Sequence, residues 1–120
     1  MKHILLVEDE EMLVNVLATV LEEEGFSVRK STSAEEALTV MPGFNPDLII
    51  SDIRLEKLDG FSMLEQVRKR PTRSDIPFIC LTALDDTSSQ QRARNLGATA
   101  YVTKPFDVDD LLKIVKKVLT

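Results

Sequence analysis

Three apolar residues in unbroken succession, Leu48-Ile49-Ile50, run into Ser51-Asp52. A strand with one face in water alternates apolar and polar residues, so a continuous run predicts a strand buried on both faces of a parallel sheet. Such a strand constrains the whole chain, because it needs helices above and below it and a crossover to each parallel neighbour. It also delivers Asp52 to the carboxyl end of the strand, the edge where open α/β sheets place ligands and chemistry.

The remaining residues supply the helices and neighbours. Ile4-Leu5-Leu6-Val7 predicts a first buried strand, ending at Glu8-Asp9-Glu10-Glu11. Residues 12–24 carry Leu13, Val16, Leu17, Val20 and Leu21 at helical spacing and close on Gly25. Phe26, Val28 and Lys30 alternate with Ser27 and Arg29, predicting a short strand nearer the sheet edge. Ser33-Ala34-Glu35-Glu36 is a capping box; the helix it opens is expected to turn Ala37, Leu38 and Met41 inward and to stop at Pro42-Gly43. Gly60 opens a helix with Phe61, Leu64 and Val67 on one face, ending before Pro71. Phe78-Ile79-Cys80-Leu81 predicts a fourth buried strand that stops at Thr82-Ala83. Residues 85–96 offer only Ala93 and Leu96 as inward side chains, so that helix is expected to dock shallowly. After Gly97, residues 98–102 predict a fifth strand running into Thr103-Lys104-Pro105. Asp107, with Asp110 three residues on, then caps a last helix carrying Leu111, Leu112, Val115, Val118 and Leu119.

Five strand–helix units with short connections predict an α/β fold, a flavodoxin-like (βα)5 doubly wound parallel sheet in the order 2-1-3-4-5. That order puts the edge-like second strand outside and sets Asp9 and Asp52 facing each other across the switch point. The 120 residues read as one domain, 1–120, large enough to bury a core without staples. A net charge of −5 argues against direct nucleic-acid binding by this chain. A single cysteine, Cys80, excludes an internal disulfide and fits a reducing cytoplasm, where the chain is expected to reside. Neither a signal peptide nor a run long enough to span a membrane is visible. His3 reads as an exposed strand-start residue and Cys80 as core.

The strand ends share a chemistry: Glu8 and Asp9 after the first strand, Asp52 after the third, Thr82 after the fourth, Lys104 after the fifth. Taken singly, each has a plain structural reading, as helix-start acids, a turn former, a cap and a surface lysine. Their joint placement at one sheet edge points elsewhere. Three gathered carboxylates repel one another unless a positive group sits among them, and an all-oxygen donor set matches Mg²⁺. With Glu8, Asp9 and Asp52 holding the cation, Asp52 keeps an oxygen free to act as a nucleophile toward phosphorus. Lys104 and Thr82 would then meet the oxygens of the transferred group.

Together Leu5-Leu6-Val7-Glu8-Asp9-Glu10, the Asp52 loop ending in Asp59-Gly60, Leu81-Thr82-Ala83, and Gly97-Ala98 through Tyr101-Val102-Thr103-Lys104-Pro105-Phe106 resemble the receiver domain of the two-component response regulators. The resemblance runs from the first strand to the last helix. It implies that Asp52 is the phosphoacceptor, loaded from a phosphohistidine on a sensor histidine kinase or a phosphotransfer protein. It further implies Mg²⁺ held by Glu8, Asp9, Asp52 and the main-chain carbonyl of Arg54, with Lys104 on the phosphoryl group and a cis Lys104-Pro105 bond. Thr82 and Tyr101 would be the switch pair, signalling through the face of helix 4, strand 5 and helix 5 to a homodimer or output partner. Such a module catalyses only its own phosphorylation and dephosphorylation, and no output domain is visible in these residues. The family commonly carries proline at the position of Glu56, so a looser loop is expected here. Arg54 and Leu84 stand where the family tunes hydrolysis, and their bulk and apolarity imply a long-lived phosphoryl group.

Overall fold

A computed structural model describes residues 1–120 and gives ten alternating elements. These are β1 (His3–Val7), α1 (Glu11–Glu23), β2 (Ser27–Ser31), α2 (Ala34–Phe44), β3 (Leu48–Ser51), α3 (Gly60–Arg68), β4 (Phe78–Thr82), α4 (Thr87–Asn95), β5 (Ala100–Thr103) and α5 (Val108–Val118). All strand pairs are parallel and the order is β2-β1-β3-β4-β5, as the unbroken apolar run of β3 predicts. Alternate residues of the central strands feed two separate cores. Leu5, Val7, Ile49, Phe78 and Cys80 pack under α2 and α3, with Ala93 of α4. Ile4, Leu6, Leu48, Ile50, Ile79 and Leu81 pack under α1 and α5. Burial on both faces is what makes the runs continuous rather than alternating. Cys80 is buried as expected, and desolvation pushes its thiol up to about 12, which makes it inert at neutral pH.

Several local expectations are corrected. In α1 the buried stripe is Val14, Leu17, Ala18 and Leu21, while Val16 is half exposed. The sequence offers two overlapping helical stripes, and the one containing Ala18 lets the helix backbone approach the sheet closely. α2 does not stop at Pro42-Gly43 but runs to Phe44 with Pro42 inside it. Proline removes only its own donor there, and the helix closes instead on Asn45, whose left-handed backbone (φ 56°) lets its N–H donate to Met41 O at 2.7 Å. His3 is not exposed: its ring stacks on Phe44 with centroids 4.9 Å apart, and Nδ1 hydrogen-bonds Phe44 O at 2.9 Å. β2 begins and ends one residue later than expected, and β5 occupies residues 100–103 rather than 98–102. Thr99 instead ties itself to β4, donating its N–H to Phe78 O and accepting the Phe78 N–H on its hydroxyl. The caps read from sequence are present, Ser33 and Asp107 each accepting from the amide three residues on, and Asp59, not read as a cap, does the same for α3.

Candidate functional site

Three of the charged strand-end residues, Glu8, Asp52 and Lys104, are each set by a main-chain bond that carries the sheet ladder one step past its strand. Glu8 N donates to Ser31 O at 3.0 Å, Asp52 N to Val7 O at 3.0 Å and Lys104 N to Thr82 O at 2.8 Å. The side chains therefore converge at the carboxyl edge between β1, β3 and β5. Lys104 Nζ lies 2.7 Å from Glu8 Oε1 and 2.9 Å from Asp52 Oδ2. The second oxygens are also engaged, Glu8 Oε2 accepting from Glu10 N at 3.1 Å and Asp52 Oδ1 from Arg54 N at 3.0 Å. The Lys104-Pro105 bond is cis.

Electrostatics follow from burial. Glu8 and Asp52 are both buried, Glu8 only 2% exposed, and a Glu8 carboxylate stripped of water is raised in pKa. Burial raises Glu8 and the charge of Asp52 adds to it, outweighing the hydrogen bonds from Lys104 and Glu10 that pull the other way. Burial alone would lower Lys104, but its bonds to Glu8 and Asp52 and their charges reverse that, and its pKa is raised. Asp9 is exposed and completes the group: ligand oxygens of Glu8, Asp9 and Asp52 all lie within 4.8 Å of one another. Three carboxylates against one ammonium leave two negative charges uncompensated when all are ionised. That excess, on hard oxygen donors, fits a divalent cation of the Mg²⁺ type, and the acidic site could hold one.

The other residues singled out from the sequence reach the same edge by different contacts. Thr82 is fully buried at the end of β4, and its hydroxyl accepts from Leu84 N at 3.3 Å. Tyr101 is half-buried on β5, and its hydroxyl donates to Leu84 O at 2.7 Å. Burial, with nearby Cys80, Asp86, Asp52 and Asp85, pushes Tyr101 up to about 12, so it stays a donor through the neutral range. The Asp52 loop is anchored despite lacking a proline at Glu56: Leu55 is buried, Leu55 N and Gly60 N both donate to Ile53 O, and Leu58 N donates to Glu35 Oε2. Two contributions escape the sequence: the hydroxyl of Ser51, which donates to Asp52 O at 2.8 Å, and the amide of Arg54 on Asp52 Oδ1. Ser51 alone left a trace, as a polar residue in an apolar run.

The profile of the response regulator receiver domain matches residues 4–116, nearly the whole chain. The chain belongs to that family. Among solved structures similar to this receiver domain is the non-phosphorylated HemR receiver domain of Leptospira biflexa, 32% identical, with a TM-score of 0.93 over 100% of this chain and 95% of that one. A signal receiver domain of a signal transduction histidine kinase from Syntrophus aciditrophicus is 33% identical, with a TM-score of 0.91 over 99% of this chain and 90% of that one. Among curated relatives, the probable transcriptional regulator ycf27 of Cyanidium caldarium is 39% identical over 98% of this chain and 46% of its own length. The DNA-binding dual master transcriptional regulator RpaA of Synechocystis is 32% identical over 99% of this chain and 49% of its own. The receiver thus spans about half the length of these curated relatives, which are full-length regulators. Receiver domains pair with histidine kinases in general, as signalling modules rather than enzymes of the usual kind. No helix is long and apolar enough to cross a membrane.

Proposed function

We propose that residues 1–120 act as one receiver unit of a two-component phosphorelay, in which Asp52 takes a phosphoryl group from a phosphohistidine on a partner kinase or phosphotransfer protein. The observation that carries this reading is the Lys104 ammonium held between Glu8 Oε1 and Asp52 Oδ2, with Asp9 beside them. An Asp52 oxygen forms its bond to phosphorus as the P–N bond breaks, and the imidazole nitrogen keeps the electron pair. The ionised carboxylate needs no general base, so the surrounding residues position groups and balance charge. Lys104 is placed to meet one phosphoryl oxygen. Thr82 accepts from Leu84 N, which leaves its hydroxyl proton to donate to another. Glu8, Asp9, Asp52 and the main-chain carbonyl of Arg54 would hold Mg²⁺, whose charge offsets that of the phosphoryl oxygens. Glu8 also orients Lys104.

Output would pass through α4, β5 and α5 to a second copy or an output partner. α4 buries only Ala93, and Tyr101 grips the loop ahead of it through Leu84 O, so recruitment of the Thr82 hydroxyl would pull on the same loop. Incubating the purified chain with a small acyl phosphate and Mg²⁺, followed by intact-mass measurement, is expected to add one phosphoryl group. The adduct should disappear in Asp52→Asn and on chelation of the metal; wild type without an adduct would falsify the reading. Arg54 is exposed and Leu84 half-buried beside the site, and both are expected to hinder the hydrolytic water. Arg54→Asn and Leu84→Glu should therefore each shorten the life of the adduct, and unchanged or slower dephosphorylation would count against that role.

A further inference from the structure

Five polar or charged side chains are buried here, Glu8, Ser31, Ser51, Asp52 and Thr82, and the chemistry proposed above leaves the hydroxyls of Ser31 and Ser51 without a part, of which only Ser51 bonds to a residue of the site. Ser51 ends β3 with no exposed surface. It is in register with Val7 and Cys80, both members of the core under α2 and α3, so its side chain lies on the face those helices cover. Most buried hydroxyls are hydrogen-bonded, and unlike Ser31 Oγ, which has no partner, Ser51 finds one on the next residue: Oγ donates to the main-chain oxygen of Asp52 at 2.8 Å.

Gly60 closes on the same carbonyl. A Cβ at position 60 would fall 2.4 Å from Asp52 O and 2.7 Å from Ile53 Cα, so any larger residue must displace the turn. Gly60 N also donates to Ile53 O at 2.9 Å, and Leu55 N donates to that oxygen at 3.0 Å. The turn leaving β3 is thus fixed at Asp52 O by a hydroxyl and a glycine, and at Ile53 O by two amides. Arg54 comes next, and its N–H is the group that holds Asp52 Oδ1 at 3.0 Å.

We propose that Ser51 is a positioning residue for the Asp52 site: its hydroxyl locks the Asp52–Ile53 peptide, which sets both the Arg54 N–H on the Asp52 carboxylate and the Arg54 carbonyl offered to the cation. This rests on the cation and phosphoacceptor roles given above. Without the hydroxyl, Asp52 O loses its only side-chain donor and the peptide plane gains freedom to rotate, carrying Arg54 with it. Groups that orient a metal's ligands lower metal affinity or activity by about 10–100-fold when removed.

The test compares wild type with Ser51→Ala, Ser51→Thr and Ser51→Val in two readouts. One is Mg²⁺ titration followed by NMR shifts of the Arg54 amide and its neighbours; the other is the acyl-phosphate phosphorylation rate as a function of Mg²⁺. Ser51→Ala, at a temperature where circular dichroism shows it folded, is expected to bind Mg²⁺ about tenfold more weakly and to react more slowly even at saturating Mg²⁺. Ser51→Thr keeps the hydroxyl and should recover most of both. A merely structural serine would lower the melting temperature and leave both readouts alone, so an alanine variant within about twofold of wild type in both overturns the proposal. Should Ser51→Ala not fold, Ser51→Val against Ser51→Thr, equal in shape and differing in the hydroxyl, carries the comparison, and equal Mg²⁺ affinity in the two overturns the proposal equally. A wild type that binds Mg²⁺ but takes no phosphoryl group defeats the phosphoacceptor reading, while the titration still decides the role of Ser51. A wild type that binds no Mg²⁺ defeats both.

Discussion

Helices α3 and α4 start alike and are held differently. Each has nine residues, and each opens on an aspartate whose carboxylate accepts from the amide three residues on, Asp59 from Ser62 and Asp86 from Ser89. Beyond the cap they diverge. α3 buries Gly60, Phe61, Met63, Leu64 and Val67, whereas α4 buries Ala93 alone. Caps decide where a helix begins, and the apolar stripe decides how firmly it is docked. α4 is kept in place by separate directed contacts: Tyr101 on Leu84 O ahead of it, the Arg92 guanidinium 4.3 Å over the Phe61 ring beside it, and Arg68 on Gly97 O behind it. Contacts of that kind can be broken one at a time, whereas an apolar face yields only as a whole. α3 is thus the firmly docked helix of the pair and α4 the lightly held one, as the proposed switch requires.

The largest expected effect lies on the firmly docked side. Leu64 has no exposed surface, so Leu64→Ala should cost about 2–5 kcal/mol of global stability, measured by denaturant unfolding. A loss below about 1 kcal/mol would erase the contrast with α4. Next comes Arg68, whose guanidinium donates to Ser74 O, Ile76 O and Gly97 O and so pins the turn after α4 to the approach of β4. Arg68→Ala should cost about 1–3 kcal/mol and speed amide exchange at the carboxyl end of α4 more than in α3. Equal acceleration in both helices would mean that the pin acts on the whole fold. The smallest change is Tyr101→Phe, which removes one bond to Leu84 O at a cost of about 0.5–1.5 kcal/mol. Its effect should appear as faster exchange in residues 84–89 with little change in the melting temperature, and a loss spread over β5 would instead make Tyr101 plain core.

This asymmetry was readable before any coordinates. Residues 85–96 offered two apolar candidates, and the structure buries Ala93 and half-buries Leu96. The sheet order was readable too, because the consecutive apolar residues of β1, β3 and β4 can only be central. What misled were features whose outcome depends on tertiary partners. Pro42 reads as a stop signal, yet Asn45 and the His3–Phe44 stack complete the helix beyond it. Val16 fits one of two equally spaced stripes, and the structure buries the other, with Ala18 packed into the core that holds Ile4 and Leu6. At the site, the gathering of Glu8, Asp9, Asp52 and Lys104 was legible because each ends a strand. Ser51 and Arg68 were not, because both bond to main-chain carbonyls, and no spacing of side chains marks a carbonyl.

The most direct measurement is hydrogen exchange by mass spectrometry on the intact chain, with and without acyl phosphate and Mg²⁺, reading peptides of α3 and α4 alongside the mass of the peptide containing Asp52. A receiver that switches through Asp52 predicts one phosphoryl group on that peptide, altered exchange across residues 84–96 and unchanged exchange across residues 60–68. A phosphoryl group found elsewhere, or helices α3 and α4 responding alike, would contradict it.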